Sequence, residues 1–245
     1  MHHPGRLRLK HGNTSGVTSC ITITSETFKE GVVMIYKHRT AFAMILVVLF
    51  GMTLFYISTD GFRAFTSESA RSYELMQKNP AVPSVTLEDS QERTYSFDEL
   101  AEDKYVLLTF MYTSCTTVCP QLAMNMAEVY DLIPGEYVGK EIVFLSISFD
   151  PTKDDPETLA KYRRAFGSDG QTWRMARIKD QEELERLLEK LGVVVIPNEY
   201  GEFQHNAAFY LVGKEGRLQE VMDFTNVEAA AGTVTAILEK GENRP

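Results

Sequence analysis

The chain has 245 residues, 44% of them apolar, which is ordinary for a globular core and leaves room for one domain or two. Its net charge of −9 is unevenly placed: residues 1–59 carry six Lys/Arg against two acids, and residues 60–245 carry the other 19 bases against 32 acids. So acidic a main body lacks the basic footprint that a polyphosphate partner needs, which excludes nucleic acid, and three cysteines are too few for a disulfide scaffold.

Residues 1–40 read as a cytoplasmic N-terminal segment. The first 33 show neither helical nor strand periodicity, which raises the expectation that translation begins at Met34. The stretch "AFAMILVVLFGMTLFYIS", residues 41–58, has 18 residues and no charge, and as a helix it is about 27 Å long, close to the bilayer core. It is apolar all round, unlike a core helix, and reads as one transmembrane anchor. Lys37, His38 and Arg39 precede it, while Asp60, Arg63 and Glu68 follow with mixed sign. That asymmetry predicts a cytoplasmic N-terminus and everything after 59 outside. The span is longer than the apolar core of a usual signal peptide and no small-x-small site follows, so the anchor is expected to stay uncleaved. Cys20 then lies across the membrane from Cys115 and Cys119.

Residues 59–81 look like a tether, partly helical around "ESARSYELMQ" and broken by Pro80 and Pro83, with the folded domain expected over 82–245. "SVTLEDSQERTYSF" alternates as a β-hairpin with its turn at Glu88–Gln91. "YVLLTF" (105–110) and "EIVFLSISF" (141–149) are continuous apolar runs of strand length, as expected of strands buried on both faces. Between them "QLAMNMAEVYDLI" reads as a helix. Asp155 caps another helix, with Pro156 at its first position and Gly167 past its end. A further helix covers 180–192, with Leu184, Leu187, Leu188 and Leu191 on one stripe. "AAFYLV" and "RLQEVMDF" form a hairpin around "GKEG", and a last helix covers about 227–240. The order β-α-β-α, then α, then β-β-α implies an α/β fold with a mixed sheet and helices on both faces.

The chemistry concentrates in "TFMYTSCTTVCPQL". Cys115 and Cys119 are spaced C-x-x-x-C, and Pro120 follows the second. A residue before proline avoids helical geometry, so the helix is expected to start at Pro120 with both cysteines in the strand-to-helix turn. Ligands gather at the carboxyl end of such strands, and a helix N-terminus lowers a thiol pKa. The spacing also permits a disulfide, although a staple closing so short a loop constrains the unfolded chain little. Of five histidines only His205, in "GEFQHNAAFYLV", falls in the outer domain. Two thiolates and one imidazole suit Cu(I) and also Cu(II), whereas structural zinc normally takes a fourth protein ligand. On the residues alone, electron transfer and metal binding both stay open.

Three stretches, "LLTFMYTSCTTVCPQL", "LSISFDPTKDDPETLAKYRRAFG" and "FQHNAAFYLVGKEGRL", together resemble the Sco/SenC proteins, thioredoxin-like copper chaperones for cytochrome c oxidase. The resemblance covers about 82–240. It implies a thioredoxin-like fold with a mixed central sheet and an N-terminal β-hairpin, tethered by one transmembrane helix. It implies copper, Cu(I) or Cu(II), held by Cys115, Cys119 and His205, with Asp150 at the family's Asp-Pro position as a secondary candidate near the site. Turn and cap duty is at least as good a reading of Asp150. The implied function is a membrane-anchored metallochaperone for the dinuclear copper centre of cytochrome c oxidase. Its partners would be the copper-centre subunit and a copper donor or thiol reductant. The alternative is a membrane-tethered thiol:disulfide oxidoreductase in which Cys115 attacks and Cys119 resolves. The chain departs from the family pattern at Thr116 and Thr117, which replace Pro and Asp, at "DDP" in place of D-T-P, and at Asn206 after the histidine. Thioredoxin-like reductases carry a cis-proline where this chain has Ala207, which argues against an ordinary dithiol exchanger. Without an Arg/Ser-rich presequence, a bacterial plasma membrane is expected rather than a mitochondrial inner membrane facing the intermembrane space.

Overall fold

A computed structural model of the protein describes residues 40–54, 67–199 and 202–242, in two units, Met1–Ser58 and Thr59–Pro245. In the first unit residues 40–54 form helix α1, whose side chains are all exposed, Phe42, Leu46 and Leu54 among them. Among the described residues no helix is long and apolar enough to cross a membrane. The expected span runs to 58, and its last four positions lie outside the described residues, as do Cys20 and the proposed start at Met34.

The second unit is built on a seven-stranded mixed sheet of order β2-β1-β5-β4-β3-β8-β9. Its elements are α2 (Ser67–Lys78), β1 (Thr86–Asp89), β2 (Thr94–Ser96), α3 (Phe97–Ala101), β3 (Tyr105–Met111) and α4 (Val118–Leu132). Then come β4 (Ile142–Ser148), α5 (Pro156–Ala165), β5 (Trp173–Arg177) and α6 (Gln181–Lys190). The chain ends with β6 (Val195–Pro197), β7 (Phe203–His205), β8 (Phe209–Val212), β9 (Leu218–Met222) and α7 (Val227–Glu242). β6 and β7 pair only with each other, as a two-stranded ribbon.

β3, β4 and β5 are the parallel centre, and β8 joins β3 antiparallel. Every residue of β4 is buried, which explains its unbroken apolar run. Trp173, Phe110, Phe144, Phe209 and Tyr210 fill the core beside it. Helix starts follow the cap signals. The Ser96 hydroxyl accepts from Glu99 N while Glu99 reaches back to Ser96 N, and Asp155 and Asp180 accept from Thr158 N and Glu183 N. Pro156 opens α5 and Gly167 follows it at φ +74°, as read from sequence.

The structure departs from the sequence reading in three places. The hairpin turn falls at 90–93 rather than 88–91. The buried Asp89 carboxylate stays in the strand and organises the turn by accepting from Gln91 N and Arg93 N at 2.8 and 3.2 Å. β5 escapes pattern reading because Arg174 and Arg177 interrupt its apolar run. Both are matched across the sheet, Arg177 to Glu88 at 2.7 Å and Arg174 over the Tyr95 ring. The segment read as a tether is folded onto the domain from α2 onward, with Leu75 in the core and Pro80 O accepting from Leu218 N. Leu75→Ala should therefore cost about 2 kcal/mol of unfolding free energy, read from urea denaturation. A true tether would lose nothing.

Candidate metal centre

β3 and β4 pair in register from Tyr105↔Ile142 to Met111↔Ser148, so their exits leave the sheet side by side. The turn after β3 holds Cys115, and α4 begins at Val118, two residues earlier than the proline rule predicts, so Cys119 lies inside its first turn. Proline is tolerated there because the first N–H groups of a helix have no intrahelical partner. Thr117, the N-cap, makes no side-chain cap bond. The sulfur of Cys115 takes that duty, accepting from Cys119 N at 3.4 Å.

The two free thiols are electrostatically unlike. Burial opposes ionisation of Cys115, but hydrogen bonds from the Cys119 side chain and N–H and from the Thr117 backbone and hydroxyl outweigh it, lowering its pKa to about 7. Thr117 thus sets its hydroxyl 3.7 Å from Cys115 Sγ. Cys119 is fully buried; desolvation and the neighbouring Cys115 push its pKa well up, so it keeps its proton.

His205 comes from β7, paired with Val195 across the ribbon. Its ring packs edge-on against Phe149 at 4.9 Å and Tyr112 at 6.4 Å between centroids. Phe203, also in β7, closes the cage at 5.1 Å from Tyr112 and 5.4 Å from Phe149, and its N–H donates to Tyr112 Oη. Burial lowers the His205 pKa, partly offset by its bond to the Asn206 backbone. Nδ1 is 3.2 Å from the Asn206 carbonyl, which only accepts, so Nδ1 carries the proton and Nε2 keeps its lone pair. Nε2 stands 3.5 Å from Cys119 Sγ. Sulfur and nitrogen bound to one tetrahedral ion at about 2.3 and 2.0 Å are also about 3.5 Å apart. The donor set therefore fits a soft or borderline metal. Among the described residues no three His, Cys, Asp or Glu side chains are gathered closely enough to hold a metal as they stand.

Asp150 is tied within its own turn. Its carboxylate accepts from Thr152 Oγ1 at 2.9 Å, Lys153 Nζ stands 3.2 Å from the other oxygen outside hydrogen-bond geometry, and its carbonyl accepts from Lys153 N and Asp154 N. The acid that acts on the site is Asp154, which the sequence reading passed over. It is fully buried and accepts from Thr113 N (2.9 Å), Thr113 Oγ1 (2.5 Å) and Ser148 Oγ (2.5 Å), joining the cysteine turn to the end of β4. The available signal was the doubled acid before Pro156, where a cap needs only one.

Comparison with known proteins gives a consistent picture. The SCO1/SenC family model matches residues 74–239. The SCO1 protein homolog of Bacillus subtilis is 27% identical over 152 residues, 61% of this chain and 76% of its own length. The human mitochondrial SCO1 homolog is 26% identical over 59% of this chain and 47% of its own. Among solved structures, copper-bound ScoI of Arabidopsis thaliana superposes with a TM-score of 0.57 at 19% identity, covering 65% of this chain and 99% of that one. Apo Sco1 of Thermus thermophilus gives 0.51 at 26% identity over 66% and 92%.

Two outcomes follow from this geometry. In the reduced protein, iodoacetamide should label Cys115 before Cys119, at a rate that rises with pH through about 7 and then levels. Below that pH the rate should fall about tenfold per unit as the thiolate is protonated. Asp154→Ala, which strands three buried donors, should cost about 3 kcal/mol in urea unfolding.

Proposed function

The chain belongs to the SCO1/SenC family, and from that premise we propose that it is a copper metallochaperone whose cargo is held by Cys115, Cys119 and His205. It delivers copper to the dinuclear copper centre of a cytochrome c oxidase subunit, after loading by a copper donor. The observation that carries this reading is the 3.5 Å approach of His205 Nε2 to Cys119 Sγ, with Cys115 bonded to the Cys119 backbone. Relatives support the cargo. One in Stutzerimonas stutzeri is described as a putative copper-binding protein, and Sco proteins of Arabidopsis thaliana, Bradyrhizobium japonicum and yeast have been solved with copper bound. BsSco, whose solved structure identified a disulfide switch, is a member of the Sco family of cytochrome c oxidase assembly proteins. Two thiolates favour Cu(I), and the imidazole extends the set to Cu(II).

Each residue has a separate task. Cys119 and His205 present sulfur and nitrogen at ligand spacing, and Cys115 supplies the thiolate available near neutral pH. The aromatic cage of Tyr112, Phe149 and Phe203 keeps water from one side of the imidazole. The anchor is residues 41–58. The described part of this segment exposes Phe42, Ile45, Leu46, Leu49 and Phe50, an apolar surface suited to lipid. With Lys37 and Arg39 ahead of it, the N-terminus lies in the cytoplasm and the domain outside a bacterial plasma membrane.

A thiol:disulfide oxidoreductase is the second reading, favoured by the pairing of a lowered Cys115 with a proton-holding Cys119 beside it. Copper titration of the wild type and His205→Ala separates the two. The chaperone reading expects Cu(II) affinity to fall by more than about a hundredfold while the dithiol still oxidises. A His205→Ala protein that binds copper as tightly as wild type, with wild type reducing disulfide substrates catalytically, would sink it.

A further inference from the structure

The imidazole of His205 is carried by a ribbon that makes no pairing with the main sheet, so its position depends on how the ribbon is hinged. The chain enters β6 from α6 through Leu191–Val194 and leaves β7 through Asn206. Asn206 ties these two hinges together. Its Oδ1 accepts from Val194 N at 2.7 Å, and its Nδ2 lies 3.4 Å from Gly192 O and 3.5 Å from Tyr210 Oη.

Arg71 of α2 reaches the same atoms from outside. Its Nη1 donates to Leu191 O at 3.2 Å and Gly192 O at 2.9 Å, and its Nη2 lies 3.5 Å from Tyr210 Oη. Those carbonyls end α6, where backbone acceptors lack helical partners and a cation is favoured. Tyr210 is itself buried in the core with its ring edge-on to Phe110. Gly192 has φ +62°, and a Cβ there would stand 2.9 Å from both Arg71 Nη1 and Leu75 Cδ1. A side chain at 192 would thus push the Arg71 guanidinium and the Leu75 side chain out of their present positions. Only a planar fork reaches two carbonyls and a hydroxyl together, a task lysine cannot duplicate.

The geometry points to Arg71 as a positioning residue for His205, with α2 clamping the ribbon hinge through Gly192 and Tyr210 and so setting where the imidazole stands relative to Cys119. The segment before the family-matched region is then part of the metal-binding apparatus. This rests on the copper reading only for the identity of the ligand; the placement of the imidazole is a property of the metal-free protein.

The test uses the full chain in detergent, reduced and metal-free, as wild type, Arg71→Gln and Arg71→Lys. The 15N signals of the His205 imidazole, assigned with His205→Ala, are recorded first, and copper affinity and the Cu(II) EPR spectrum afterwards. Arg71→Gln should shift or broaden the His205 signals, alter the EPR spectrum and weaken copper binding about tenfold, as for loss of an outer-shell partner. Arg71→Lys, keeping one donor for Gly192 O, should recover part of each. Wild-type imidazole signals in folded Arg71→Gln would overturn the assignment. If Arg71→Gln does not fold, Arg71→Lys decides, since it keeps the charge but loses the fork that spans both carbonyls and the Tyr210 hydroxyl. Shifted His205 signals there support the clamp, and unchanged ones overturn it. A wild type that binds no copper removes the copper reading and leaves the imidazole spectrum to judge Arg71.

Discussion

Asp154 puts a carboxylate where no water reaches it and satisfies it with three donors from two different chain exits: Thr113 after β3, and Ser148 at the end of β4. An unpaired acid at that depth would cost several kcal/mol, so this contact is strongly directional. It ties the start of the cysteine turn to the sheet end, only five residues ahead of α4. The start of α4 then decides that Cys119 N–H faces Cys115 Sγ. The relation between the two sulfurs is in this sense a consequence of a carboxylate that touches neither.

The same helix start gives the two thiols opposite characters, and the balance of desolvation against hydrogen bonding explains why. Both cysteines are buried, which raises a thiol pKa. Cys115 sits ahead of the helix, where backbone N–H groups and the Thr117 hydroxyl point at it, and donation wins. Cys119 sits inside the first turn; its own N–H is spent on Cys115, and desolvation wins. Its retained proton has two acceptors in reach, the Cys115 thiolate and His205 Nε2. The neutral Thr117 hydroxyl beside the sulfur adds to that donation without bringing a negative charge next to the Cys115 thiolate.

Much of the fold was legible in the sequence because its signals are local. β3 and β4 were plain as unbroken apolar runs, α5 from its Asp cap and first-turn proline, α6 from its leucine stripe, and the β8–β9 hairpin from its Gly-bounded turn. What escaped depends on partners remote in sequence. β5 needs Glu88 and Tyr95 to make its arginines acceptable in a sheet, and α2 needs the glycine at 192 and the carbonyls of α6 to become part of the domain. At the site, Cys115, Cys119 and His205 were proposed from residue type and resemblance; the structure puts His205 Nε2 3.5 Å from Cys119 Sγ and Cys115 Sγ against the Cys119 N–H, without closing the three into a ready metal site. The helix start was placed two residues late because a rule about the residue before proline is weaker than the freedom of an unpaired first turn. Asp154 was missed for a related reason. A buried acid is recognisable only when its donors are known, and Ser148 and Thr113 carry no mark of that use in the sequence.

The two halves of the site are held with unequal firmness, and that inequality bears on the proposed role. Cys115 and Cys119 are fixed by the sheet centre, α4 and the Asp154 clamp. His205 rides on a short ribbon held by an aromatic cage and its two hinge segments. A ligand set built entirely on the sheet would bind more tightly but give up its metal slowly, since every bond would have to break against a rigid frame. With one ligand on a separately hinged element, a single movement of the ribbon converts a three-ligand site into a two-thiolate one. Two thiolates alone still satisfy Cu(I) but serve Cu(II) poorly. If the chain is the proposed copper carrier, accepting a metal from one partner and yielding it to another, the strength of binding would be governed at the ribbon hinge, away from the sulfurs.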